Sequence, residues 1–297
     1  MNYTIQNHHL RVTVSTLGAE LQSVRSIASD EEFLWHGDSN VWSGRAPVLF
    51  PIVGALKDSQ MHLDGQVYSL PRHGLARRKN FKCVSESSNK LVFQLDSDSE
   101  TLAVFPWHFT LEITYTLSDN HVHTRYTVTH QKQTPDSTML FTIGSHPAFY
   151  LPLKETPLDQ FSIRFNSKEN LTHYPLNADG LLALKGEPYP LLEQRVNLDK
   201  NLFNADALVF KNINSSTISL WQRDRERIRV NTGGAPHLGL WAKPGAPFIC
   251  IEPWHGYSDA TDASGNFEDK PALKSLSAGE SFHTEWFIQV VSHNFTN

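Results

Sequence analysis

Phe109-Thr-Leu-Glu-Ile-Thr-Tyr-Thr-Leu117 alternates apolar and polar residues at every step. A period of two puts Phe109, Leu111, Ile113, Tyr115 and Leu117 on one side of an extended chain, the pattern of a strand with one face buried. Beyond Asp119-Asn120 the alternation continues through Val122, Thr124, Tyr126 and Val128. Residues 109–130 are therefore expected to form a β-hairpin.

The same period recurs outward from this hairpin. Leu10-Arg-Val-Thr-Val14 reads as an early strand, and Trp286, Ile288 and Val290 as a late one. Asp64-Gly65 lies between two short β-prone runs and predicts a tight turn. Helical periodicity is scarce; the best candidates are short, around 198–204 and 270–276. The 16 Gly and 16 Pro are scattered, and no linker-like run divides the chain. The expectation is an all-β, antiparallel, many-stranded sandwich with a few short helices, one domain over residues 1–297.

Composition narrows the function. With 26 Lys+Arg against 31 Asp+Glu the formal net charge is −5, and no basic stripe is present to follow a phosphate backbone. Nucleic acid is thus an unexpected partner. Arg223-Asp-Arg-Glu-Arg-Ile-Arg229 alternates sign and reads as a solvated strand face. Met1-Asn-Tyr-Thr-Ile5 lacks the pattern of a secretory leader. No stretch approaches the roughly 20 apolar residues that span a bilayer. Cys83 and Cys250 are the two cysteines and have no paired spacing for zinc or redox chemistry. Both are expected to pack as small apolar groups in a reducing cytoplasm.

Four segments rich in Pro, Gly and aromatic residues break the alternation: residues 43–51, 71–77, 144–149 and 250–256. Such residues fix the local backbone and aim a polar side chain, and in β scaffolds loops and strand ends carry binding and catalytic groups. Alone, His73 before Gly74 reads as a loop histidine bonded to backbone, and His146 as a satisfied core histidine. Glu252 reads differently, because it follows the apolar Phe248-Ile-Cys-Ile251 and emerges where an apolar strand ends. A charge buried there is costly without a partner or a task. His121 and His123 share a strand face as metal ligands would, but no third ligand follows at a suggestive spacing, so they read as surface histidines. The chain has no Gly-x-Ser-x-Gly elbow, no phosphate-cradling loop with its Lys-Ser/Thr and no His-Glu-x-x-His, which disfavours nucleotide-driven reactions and zinc hydrolysis.

Five motifs in order resemble the aldose 1-epimerase (galactose mutarotase-like) superfamily, closest to its bacterial branch. They are Ala46-Pro-Val-Leu-Phe-Pro-Ile-Val-Gly54, His73-Gly-Leu-Ala-Arg77, Ile143-Gly-Ser-His-Pro-Ala-Phe149, Ala205-Asp-Ala-Leu208 and Ile251-Glu-Pro-Trp254. The resemblance implies a β super-sandwich that interconverts the α and β anomers of an aldohexose, free or phosphorylated, without cofactor or metal. By the same resemblance Glu252 matches the general base and His146 the general acid, taken as protonated, while His73 and Asp206 match residues that contact the sugar. A Trp, with Trp254 and Trp42 as candidates, would cover an apolar sugar face. In the family's hexose-6-phosphate branch arginines hold the phosphate, and Arg45 and Arg77 fall where that branch places two of them.

Two positions depart from the pattern. Arg72 stands where relatives often have Gln, and Ala55 follows Gly54 where galactose-type members carry Arg. Both leave the sugar open. The assembly is expected to be a monomer or a homodimer. Two rival readings share the motifs: a glycoside-cleaving enzyme using Asp206 and Glu252, and a sugar-binding module without catalysis.

Overall fold

The computed structural model describes residues 1–132 and 137–291. The hairpin expected at 109–130 is present, with strands Phe109–Ser118 and His121–His130 joined at Asp119-Asn120. Inward and outward residues alternate along both strands as the period of two requires: Leu111, Ile113, Val122 and Val128 are fully buried, while Thr110, Glu112 and Arg125 face outward.

Around this hairpin a nine-stranded sheet forms. Its order runs Arg195–Asn197, Phe161–Phe165, Thr217–Gln222, Arg225–Asn231, Ser281–Val290, His121–His130, Phe109–Ser118, Lys90–Asp96 and Lys82–Glu86. A second large sheet runs Glu187–Pro188, Thr172–His173, Leu208–Lys211, His237–Trp241, Phe248–His255, Ile143–Ser145 and Val48–Leu49, with Ala148–Tyr150 also pairing onto Phe248–His255. The named pairings in both sheets are antiparallel. Three further strands, Asn2–Gln6, Leu10–Ser15 and Leu21–Ser26, form a separate meander.

The two large sheets enclose one hydrophobic core that runs from Ile5 to Val290. Phe50, packed edge-on against Phe109 with ring centroids 5.1 Å apart, is one of its centres. Polar ties also cross between the sheets: the Tyr126 and Ser145 hydroxyls lie 2.9 Å apart, and His255 Nε2 lies 2.9 Å from the Thr284 hydroxyl. The second sheet is covered on its other face too, by a smaller cluster of Leu49, Val53, Leu182, Ala207, Val209 and Trp254. Phe248-Ile-Cys-Ile251 is buried at all four residues within the main core, so it reads as a continuous apolar run. Among the described residues no helix is long and apolar enough to cross a membrane.

Several local expectations need amendment. Asp64 and Gly65 do turn the chain, both at positive φ, between strands Gln60–Leu63 and Gln66–Ser69. The short helices lie elsewhere than expected, however. One α-turn covers Ser99–Leu102, capped by Asp98, whose side chain accepts from Thr101 N. Single 3-10 turns cover Lys57–Ser59, Ala76–Arg78, Leu158–Gln160 and Phe267–Asp269. Residues 200–205 form successive turns instead of a helix, and Lys274–Ser277 is a strand. The charged run 223–229 is not wholly solvated either. A register shift at Leu220/Trp221 accompanies the inward turn of Arg227, whose guanidinium is buried against Glu31 at 2.7 Å and Gln222 at 2.8 Å. A bulge re-aims a side chain in just this way.

Candidate active site

Glu252 sits in the middle of the Phe248–His255 strand rather than at its end, because the strand continues through Pro253 to His255. Its side chain is 1% exposed. Opposite it in the neighbouring strand stands Gly239, and Gly144 stands opposite Trp254. These glycines make room for the Trp254 indole: a Cβ at Gly239 would meet Trp254 Cζ2 at 2.4 Å, and one at Gly144 would meet Trp254 Cδ1 at 2.7 Å. Trp254 thereby lies flat across two neighbouring strands.

His146 follows the short strand Ile143–Ser145. Its backbone N–H donates to Pro47 O at 3.1 Å. The imidazole is stacked on Trp42, with centroids 5.1 Å apart and planes 30° apart, and meets Trp241 edge-on at 5.7 Å. So clamped, it directs Nε2 to within 3.3 Å of Glu252 Oε2.

His73 approaches from a third segment, edge-on to His146 at 5.7 Å. It has a φ of 68°, and the following Gly74 a φ of 72°, with no space for a Cβ beside Phe50 O. Its Nδ1 accepts from Gly54 N at 3.1 Å. An imidazole that accepts at Nδ1 keeps its remaining proton on Nε2, so His73 is fixed as an Nε2–H donor. Asp206 also adopts a left-handed backbone, φ 73°. One carboxylate oxygen accepts from Ala207 N at 2.8 Å, and the other faces the Arg72 guanidinium at 3.3 Å. Non-glycine residues held at positive φ cost free energy and cluster at functional sites.

These segments enclose a cavity of about 420 Å³, lined by Trp42, Arg72, His73, Arg77, Arg78, His146, Asp206, Ala207, Trp241, Glu252 and Trp254. All the site residues expected from the sequence line it except Arg45. Arg45 donates from its guanidinium to Gln22 O at 2.6 Å and from its backbone N–H to Glu20 at 2.8 Å, outside the cavity lining. Sequence reasoning missed Trp241 and Arg78. Arg78 directly follows a residue it had singled out, but Trp241 carried no motif at all. His121 and His123 stack with centroids 5.8 Å apart, and His123 pairs with Glu285 on the outer sheet face. Cys250 is buried and Cys83 only half so.

Burial dominates the electrostatics. It raises the Glu252 carboxyl well above the usual carboxylate range, against the partial opposition of the Arg72 and Arg77 guanidiniums. Burial, reinforced by the charge of Arg77 and Arg72, pushes His146 down to about 3. His73 is likewise lowered, by burial first and by His146 and the arginines second. Burial therefore works against the imidazolium that the sequence reading gives His146.

The family model for aldose 1-epimerases matches residues 1–286. Protein LacX of Lactococcus lactis subsp. lactis, in its plasmid and chromosomal forms, is 32% identical over 294 residues, covering 93% of this chain and 95% of the relative. A galactose mutarotase related enzyme from Lactobacillus acidophilus superposes with a TM-score of 0.93 at 31% identity, covering 98% of each chain. A galactose mutarotase-like protein from Lactobacillus casei gives 0.90 at 27% identity, covering 98% of this chain and all of the other. The chain belongs to the aldose 1-epimerase family.

Proposed function

We propose that the protein interconverts the α and β anomers of an aldohexose by proton transfer at the hemiacetal carbon, with Glu252 and His146 as the acid–base pair. The observation that carries this reading is the 3.3 Å approach of Glu252 Oε2 to His146 Nε2 inside the cavity. The C1 hydroxyl and the ring oxygen are bonded to one carbon, so two groups this close can each address one of them.

In ring opening the Glu252 carboxylate takes the C1 hydroxyl proton while the His146 imidazolium protonates the ring oxygen. The bond from C1 to the ring oxygen breaks, leaving an aldehyde, a neutral carboxyl and a neutral imidazole. Rotation about C1–C2 presents the other aldehyde face. The carboxyl then returns its proton to the aldehyde oxygen, the imidazole takes the C5 hydroxyl proton, and the ring closes. The pair carries one proton throughout. Burial favours that proton on Glu252 and off His146, so it crosses the 3.3 Å to His146 before the ring opens. The His73 Nε2–H would support the ring oxygen, and Asp206 would accept from a sugar hydroxyl. Trp254, whose indole N–H faces the Glu252 carboxyl, would steady that carboxylate and offer its apolar face to the sugar.

A second reading has its own support. Arg72, Arg77 and Arg78 line the same cavity, and Arg72 faces the Asp206 carboxylate at 3.3 Å. Guanidiniums suit a phosphate, which favours a hexose 6-phosphate as substrate. Mutarotation rates for glucose, galactose and glucose 6-phosphate, measured side by side, test both readings. Preference for the phosphorylated sugar selects the second. Tight sugar binding with no acceleration for any of the three would make the protein a binder and overturn the catalytic proposal.

A further inference from the structure

We propose that Cys250, Glu252 and His146 together form a binding site for a thiophilic divalent cation of the zinc class, and that an ion held there blocks the acid–base pair. Cys250 precedes Glu252 by two residues on one strand, so both side chains leave the sheet on the same face. One donor atom from each of the three residues lies within 4.8 Å of the other two. Thiol, imidazole and carboxylate are the donors zinc takes, and three protein ligands with a fourth position open is a common zinc arrangement.

The distances fit. A tetrahedral ion with bonds of about 2.0–2.3 Å needs donors roughly 3.3–3.6 Å apart. The edge from His146 Nε2 to Glu252 Oε2 is 3.3 Å, and the two edges to Cys250 Sγ are no longer than 4.8 Å. The Glu252 carboxyl is buried, with the Trp254 indole N–H as its hydrogen-bonding neighbour, and Cys250 is a buried free thiol. His146 and Glu252 line the cavity, which is the route of entry. An ion there takes the lone pairs of His146 and Glu252 that proton transfer needs. Arg72, Arg77 and Arg78 line the same cavity and oppose a cation, so the site suits a reversible inhibitor better than a permanently bound metal. No spacing in the sequence announces it, because the thiol and the imidazole come from strands far apart in the chain.

Cobalt(II) substitutes for zinc and reports thiolate ligation by a near-ultraviolet charge-transfer band, a readout that needs no sugar and no activity. The wild-type protein is expected to develop that band on titration with Co²⁺ and to lose it when Zn²⁺ is added. Cys83→Ala should keep the band, because Cys83 lies on a distant edge strand. Cys250→Ala should abolish it, with Cys250→Ser as the nearly isosteric check on folding. In parallel, mutarotation by the wild type should be inhibited by Zn²⁺ and restored by EDTA. Cys250→Ala should retain its basal rate and need about tenfold more Zn²⁺ or beyond for the same inhibition. No band in the folded wild type, or a band that survives loss of Cys250, overturns the proposal whether or not the protein is a mutarotase.

Discussion

Glu252→Gln keeps the size and shape of the side chain and removes its ability to carry a proton. In the proposed reaction each turnover moves a proton on and off this group. A positioned acid or base is worth about 10²–10⁴-fold in rate, or about 2.7–5.5 kcal/mol of barrier. Because Glu252 and His146 exchange roles within one cycle, loss of either should stop both transfers. Glu252→Gln, His146→Asn and the double variant should then share nearly the same residual rate. The structure also dictates what happens to stability. Burial raises the carboxyl of Glu252, so above the ordinary carboxylate value the folded state holds a proton that the unfolded chain has released. Wild-type stability must therefore fall as pH rises through that window, by about 1.4 kcal/mol for each unit of displacement. Gln removes this dependence. The variant is expected to match the wild type near pH 4 and to be the more stable protein at pH 8. Polarimetry of freshly dissolved α-sugar reads the rate, and urea midpoints across pH read the stability. A wild-type rate in Glu252→Gln would refute the acid–base assignment; an inactive variant that is less stable at every pH would make the residue structural.

The rate itself should depend on pH as a bell, measured with EDTA present: it falls toward pH 3 as His146 gains a second proton for the pair, and falls again in alkali once Glu252 gives up the proton the pair shares. A rate that holds steady down to pH 3 would contradict a shared proton. Gly239→Ala places a Cβ 2.4 Å from the Trp254 indole; overpacking of this kind costs about 1–3 kcal/mol, and the displaced ring should raise KM as well, as thermal melts and steady-state kinetics would register. Asp206→Asn weakens the hold on Arg72 and should raise KM for a neutral hexose while sparing kcat, whereas unchanged KM would remove Asp206 from the sugar contacts. Arg72→Gln should leave glucose rates within about twofold but cut those for glucose 6-phosphate by about tenfold if that arginine serves the phosphate; equal effects on both sugars argue against it.

Much of this was legible in the chain. The 109–117 alternation and its continuation to residue 128 foretold the hairpin at the heart of the larger sheet, since a half-buried strand needs that period whatever surrounds it. Asp64-Gly65 foretold its turn through backbone preference alone. The Pro- and Gly-rich segments marked where side chains are aimed, and His73, His146, Asp206, Glu252, Arg72 and Arg77 do line one cavity. Arg45 shows the limit: a guanidinium near a motif can be spent on a backbone carbonyl, and only packing reveals which carbonyl is within reach.

Residue order, then, settled what each stretch must do locally: extend, turn, bury one face or both. It could not settle protonation, because the desolvation that works against a charged His146 comes from Trp42, Trp241 and the sheet around it, none adjacent in the chain. Nor could it bring Cys250 beside His146, or lay Trp254 over Gly144 and Gly239. Those are contacts between strands from different parts of the chain, and their energies depend on distances that exist only once the sheets have closed.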